Sequence, residues 1–137
     1  MNLSPWLAMT LRFLLAVALG AAIGYQRERA GKAAGLRTLV LVAAGAALFT
    51  LVSVYGFPSS TADISRVAAG VVVGVGFIGA GVILRGQREE EVAGLTTAAT
   101  IWVTAGLGLA AGAGMYLIAV IAAVVFLGIL LLPKVRG

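Results

Sequence analysis

The chain has 137 residues, of which 61% are hydrophobic, 11% are charged and 19 are glycine, a balance far from that of a soluble globule. It contains no cysteine and no histidine, so disulfides, thiolate or imidazole metal sites, haem attachment and Ser–His or Cys nucleophiles are excluded, and an enzyme is not expected. The net charge of +5 does not point to nucleic acid, because the Lys and Arg residues flank apolar runs rather than forming a basic face. Their expected task is to fix membrane orientation and to meet anionic lipid head groups.

Five apolar stretches are long enough to cross a bilayer: Leu7 to Tyr25, Thr38 to Tyr55, Val67 to Leu84, Thr96 to Ala113 and Met115 to Leu132. At 18 or 19 residues each, they reach roughly 27–28 Å as helices. The expected fold is therefore all-α, a single transmembrane domain over residues 1–137 with five crossing helices. The first stretch is no signal peptide. Nothing basic precedes it, and Arg27, Arg29, Lys32 and Arg37 follow it. Lys and Arg divide eight against one between alternating connections, which places the N-terminus outside and the C-terminus inside. The turn at Gly112-Ala113-Gly114 is expected to be a tight hairpin or the edge of a re-entrant helix.

Ala34-Gly35-Leu36-Arg37-Thr38 at the second span and Ala93-Gly94-Leu95-Thr96-Thr97 at the fourth match at an offset of 59 residues, as do Gly20 with Gly79 and Arg29 with Arg88. Spans one and two then correspond to three and four in a parallel repeat about an axis along the membrane normal. Thr38, Thr96, Thr97 and Thr100 stand at helix starts. They serve there as caps, or their helix ends attract an anion or acidic side chain.

The third span carries Gly70, Gly74, Gly76, Gly79 and Gly81, a density that suits close helix packing and marks this span as the expected centre of the bundle or of a homodimer interface. The GxGxxG pattern at Gly74 to Gly79 is no dinucleotide fingerprint, since it lies inside an apolar span with no preceding strand. Carboxylates are few: Glu28, Asp63 and the run Glu89-Glu90-Glu91, none within a span, which argues against a proton-coupled carrier. Asp63 is placed to cap the third helix and pair with Arg66. Arg12, about 8 Å below the outer edge of the first span, is expected to meet Asp63 or to snorkel outward.

The segments Arg27-Glu28-Arg29, Ala34-Gly35-Leu36-Arg37-Thr38, Asp63-Ile64-Ser65-Arg66-Val67-Ala68-Ala69, Gly76-Phe77-Ile78-Gly79-Ala80-Gly81 and Gly94-Leu95-Thr96-Thr97-Ala98-Ala99-Thr100-Ile101-Trp102 resemble, in this order, the membrane domain of the MgtC/SapB family. The resemblance runs from about Arg12 to the last span. It implies a bacterial inner-membrane protein linked to magnesium-limited growth and, in some pathogens, to survival in macrophages. Such proteins are thought to act by inhibiting the F-type ATP synthase rather than by carrying magnesium. Longer relatives add a cytosolic ACT-like domain, whereas this sequence stops at Gly137, so the virulence role is not carried over. Two readings follow: a regulatory or interaction protein that needs no cofactor, or a transporter of magnesium or another small solute.

Overall fold

The computed structural model describes residues 4–57, 63–85 and 91–133. Five helices follow one another: α1 Pro5–Arg29, α2 Leu36–Tyr55, α3 Ser65–Arg85, α4 Glu91–Gly112 and α5 Tyr116–Leu130. Each expected span falls on one of them. Arg88, Glu89, Glu90, Lys134 and Arg136 lie outside the described residues.

The ends of α1 follow local chemistry. Ser4 Oγ accepts a hydrogen bond from Leu7 N at 3.1 Å and Pro5 opens the helix, where its missing N–H costs nothing. Arg27 and Arg29 occupy the last turn, where cations suit the negative helix end, and Gly31 turns the chain away with φ +69°.

Four helices, α1 to α4, are long and apolar enough to cross a membrane. The fifth is shorter than its sequence suggests: α5 holds 15 residues, about 22 Å of helix. The loss occurs at both ends. Gly114, at φ +84°, and Met115 are used in the turn after α4, and Leu131 closes the helix as its C-cap.

The centre of the bundle is α4, which corrects the expectation that α3 would hold it. Half of α4's apolar window is buried, against 11% of α3's. A Cβ on Gly108 would fall on the backbone of Ala43, and one on Gly112 would stand 2.9 Å from Ala47 O, so α2 and α4 touch backbone to backbone. In lipid this close van der Waals packing is what holds helices together, since burial from water is already complete. Leu19 and Ile23 of α1, Leu39 of α2, Ile101 and Leu107 of α4, and Ala119 and Ala123 of α5 form the largest apolar cluster. Only Val71 and Gly79 of α3 are buried among its described side chains.

The contacts fix the helix directions. Gly20 meets Leu39 and Gly24 meets Leu36, so α1 and α2 run antiparallel; Gly79 meets Ala98 and Gly94 meets Ile83, so α3 and α4 do as well. Two apolar clefts flank α3. One of about 360 Å³ lies between α3, α4 and α5, and one of about 610 Å³ between α2 and α3.

Candidate functional site

The polar residues of the bundle concentrate where the end of α1 meets α2 and α4. Arg27 is 3% exposed, although it stands in the last turn of a surface-reaching helix. Its Nη2 donates to Ala33 O at 2.6 Å and to Thr97 Oγ1 at 2.5 Å, tying the connection after α1 to the face of α4. Its Nε is buried with no partner among the described residues, and so is Gln26 Oε1. A buried donor or acceptor in this state is costly unless something meets it.

Glu28 has a structural task beside it. Gly35 is the N-cap of α2 and has no side chain to offer, so Glu28 Oε1 accepts from Leu36 N at 3.0 Å in its place. A Cβ on Gly35 would collide with that carboxylate. The repeated Ala-Gly-Leu motif at this point is thus a helix start capped from a neighbouring helix. Ala34, at φ +56°, adopts the left-handed backbone that glycine usually takes.

Of the threonines expected at helix starts, Thr96, Thr97 and Thr100 instead lie inside α4, which already begins at Glu91; Thr97 and Thr100 are buried, whereas Thr38 and Thr96 are exposed, as is Arg37. Thr100 Oγ1 donates to Thr96 O at 2.7 Å. Thr104 was not among the expected residues, yet it is fully buried and its Oγ1 has no partner among the described residues. Its signal was spacing: residues 97, 100 and 104 recur on one helical face. Thr50 and Ser53 add buried hydroxyls on α2, satisfied by Ala46 O and Ile64 O.

At the other end of α1, Arg12 is half-buried and does not meet Asp63. Its Nη1 donates to Gly112 O at 3.4 Å and its guanidinium lies 5.5 Å from the centre of the Tyr55 ring. The physical reason is the C-terminal end of α4, whose free carbonyls and negative dipole attract a cation that an aromatic face also stabilises. Gly114 makes room, since a Cβ there would stand 2.9 Å from Arg12 Cζ. Asp63 is occupied locally: its Oδ1 accepts from Ser65 N at 3.0 Å and from Ser65 Oγ at 2.6 Å, and its carbonyl accepts from Arg66 N. The two Ser65 hydrogen bonds hold the exposed Asp63 carboxyl below its usual value, with the charge of Arg66 adding a smaller push. Asp63 thus closes the first turn of α3, and Arg66 is exposed.

The glycines of α3 divide. A Cβ on Gly79 would stand 3.3 Å from that of Ala98, whereas Gly70, Gly74, Gly76 and Gly81 have nothing within 4 Å in this chain. The glycines packed most tightly on a neighbouring helix's backbone are Gly20 and Gly24 of α1 and Gly108 and Gly112 of α4.

The buried polar chemistry is therefore cationic and hydroxylic. Among the described residues, no group of three or more His, Cys, Asp or Glu is placed to hold a metal ion. Arginine and threonine at the end of α1 can donate hydrogen bonds to an acceptor and would repel a bare cation.

Residues 13–136 match the profile of the MgtC family. The chain belongs to that family. It is a family of membrane proteins without enzymatic activity, and this member is a multi-pass α-helical membrane protein. YhiD of Escherichia coli strain K12, whose name proposes a magnesium transporter, is 53% identical over 112 residues, covering 77% of this chain and 51% of YhiD. Protein SrpB of Synechococcus elongatus is 46% identical over 121 residues, 81% of this chain and 66% of SrpB. Protein MgtC of Salmonella typhimurium is 46% identical over 117 residues, 85% of this chain and 48% of MgtC. The chain thus spans about half the length of YhiD and MgtC. Among solved structures none matches significantly.

Proposed function

We propose that this MgtC-family chain is a regulatory or interaction protein of the bacterial inner membrane, linked to magnesium homeostasis and membrane energetics, that docks through its helices on another membrane protein. It lies with its N-terminus outside and its C-terminus inside, on the eight-to-one charge division. A reporter fused after Gly137 tests that orientation, and activity only on the periplasmic side would reverse it. The F-type ATP synthase is the partner that the family resemblance suggests. A homodimer is a further assembly open to the exposed face of α3.

One observation carries this reading: the charged side chain buried in the bundle is Arg27, held by the Thr97 hydroxyl and the Ala33 carbonyl, and no described carboxylate enters the core. Magnesium is held by carboxylates, carbonyls and its own water, and a guanidinium on its path would oppose entry. Purified protein in liposomes loaded with a magnesium-sensitive dye is expected to give no flux above empty liposomes. A magnesium-dependent signal would establish the transporter instead.

The transporter reading draws on the internal parallel repeat that the 59-residue offset suggests, with α1–α2 corresponding to α3–α4, and two contacts support it. Gly20 meets Leu39 and, 59 residues on, Gly79 meets Ala98; Gly24 meets Gly35 and Leu36, and Ile83 meets Gly94. These two contacts recur at the offset expected of a duplicated carrier.

A further inference from the structure

Two contacts recur within the hairpins, but the hairpins are docked on each other unequally. Under a twofold repeat, every contact of α1 with α4 has an image between α3 and α2. Arg12 meets Gly112, so Val71 would meet Ser53. Instead Val71 packs with Ala46, and Ser53 Oγ donates to Ile64 O at 3.1 Å. Ala46 stands where Ser53 is expected and Ile64 where Val71 is expected, seven residues off in both cases. Seven residues are two helical turns, about 10 Å.

A second pair of helices shows the same break. Gly108 lies against Ala43, but the images of these residues, Phe49 and Trp102, are both more than half exposed. Where α1 closes on α4, α3 leaves the groove of about 610 Å³ on α2, between Val42, Gly45 and Phe49 on one wall and Gly70, Gly74 and Ile78 on the other.

We propose that α1 and α3 exchange roles: in a second state α3 slides two turns along α2, brings Val71 to Ser53 and closes the groove, while the corresponding groove opens between α1 and α4. The proposal rests on the internal repeat. A seven-residue step returns nearly the same face of a helix, about 20° rotated, so the slide keeps the buried side buried. Gly45, Gly70 and Gly74 carry no side chain to cross, while Phe49 and Ile78 on the same walls must swing aside. The Arg27–Thr97 bond breaks in the exchange, which sets part of its cost. Packed helix interfaces favour discrete registers over intermediate ones.

Since the sequence holds no cysteine, introduced thiols are the only ones present. A disulfide needs Cα atoms within about 7 Å. The full chain in liposomes, carrying Ser53→Cys with Ile64→Cys, reports the state described here; Ser53→Cys with Val71→Cys reports the exchanged one. Diamide oxidation followed by non-reducing electrophoresis and intact mass reads both. The expected result is an intramolecular disulfide in each, faster in the first. A second reporter, Val52→Cys with Val75→Cys, is the image of the buried Ala111 and Ala16 and stands in if Val71→Cys does not fold. If the 53–64 pair closes while the exchanged-state pairs stay reduced, or link only two chains, the exchange is wrong. Hairpins that fail to superpose in an experimental structure would instead remove the repeat itself.

Discussion

In α3 five glycines lie between residues 70 and 81, and α4 carries four spread along its length, yet α4 sits at the centre and α3 at the edge. The difference is register, not number. Gly108 and Gly112 of α4 stand one turn apart on a single face, and α2 meets them with Ala43 and Ala47 at the same spacing. The glycines of α3 fall on several faces, and only Gly79 finds a neighbour in this chain. A glycine promotes helix contact only where the opposite helix also offers a small residue at that height.

The sharpest way to break this comparison is to fill one glycine on each helix. Gly108→Leu forces a side chain into the backbone of Ala43, where no rotamer change gives relief, so the expected loss is about 3 kcal/mol or more, at the upper end for overpacking. Gly74→Leu points into open space and is expected to change stability by less than about 0.5 kcal/mol. Thermal unfolding in detergent measures both. Equal losses would mean that α3 is packed by something the single chain does not show, such as a second copy.

That contrast also marks what could be read from the sequence. Hydropathy and length located all five helices, because a bilayer imposes both on any span. Asp63 is legible as the start of α3 since its partner, Ser65, is two residues away. The pairing of Arg12 was not legible: its partners Gly112 and Tyr55 are distant in sequence, and a backbone carbonyl leaves no residue-type signal. Thr104 was not legible either, because threonine is common in this chain and its burial depends on α1 and α2 packing against α4, which no residue type announces.

A smaller effect is expected inside the α1·α4 seam, where bonded and unbonded hydroxyls sit on one face. Thr97→Val removes an acceptor from the buried Arg27, and hydrogen bonds to charged groups contribute about 1.5–3 kcal/mol. Because Ala33 O continues to accept from Arg27, the lower part of that range is expected. Thr104→Val removes a hydroxyl that bonds to nothing described, and stability should stay level or rise slightly. If Thr104→Val proved as damaging as Thr97→Val, the seam would be a continuous hydrogen-bonded chain joined by water.

The smallest effect separates the two groups, Arg12 and Asp63, that the sequence suggests as a pair. Arg12→Ala loses the α4 carbonyl and the Tyr55 ring, for about 0.3–1 kcal/mol by the helix-dipole scale. Asp63→Ala loses the bonds to Ser65 instead. With no shared atom, the two losses should add, to within about 0.3–0.5 kcal/mol. The pH responses should differ as well. The Asp63 carboxyl lies below its unfolded value, so its contribution is present above that value and is lost as pH falls through the folded one. The first turn of α3 should loosen on that acid side, seen as faster labelling of a thiol at Ile64→Cys, and Asp63→Asn should flatten the response. An acid-side loosening that vanishes in Arg12→Ala would mean that the arginine and the carboxylate are coupled after all.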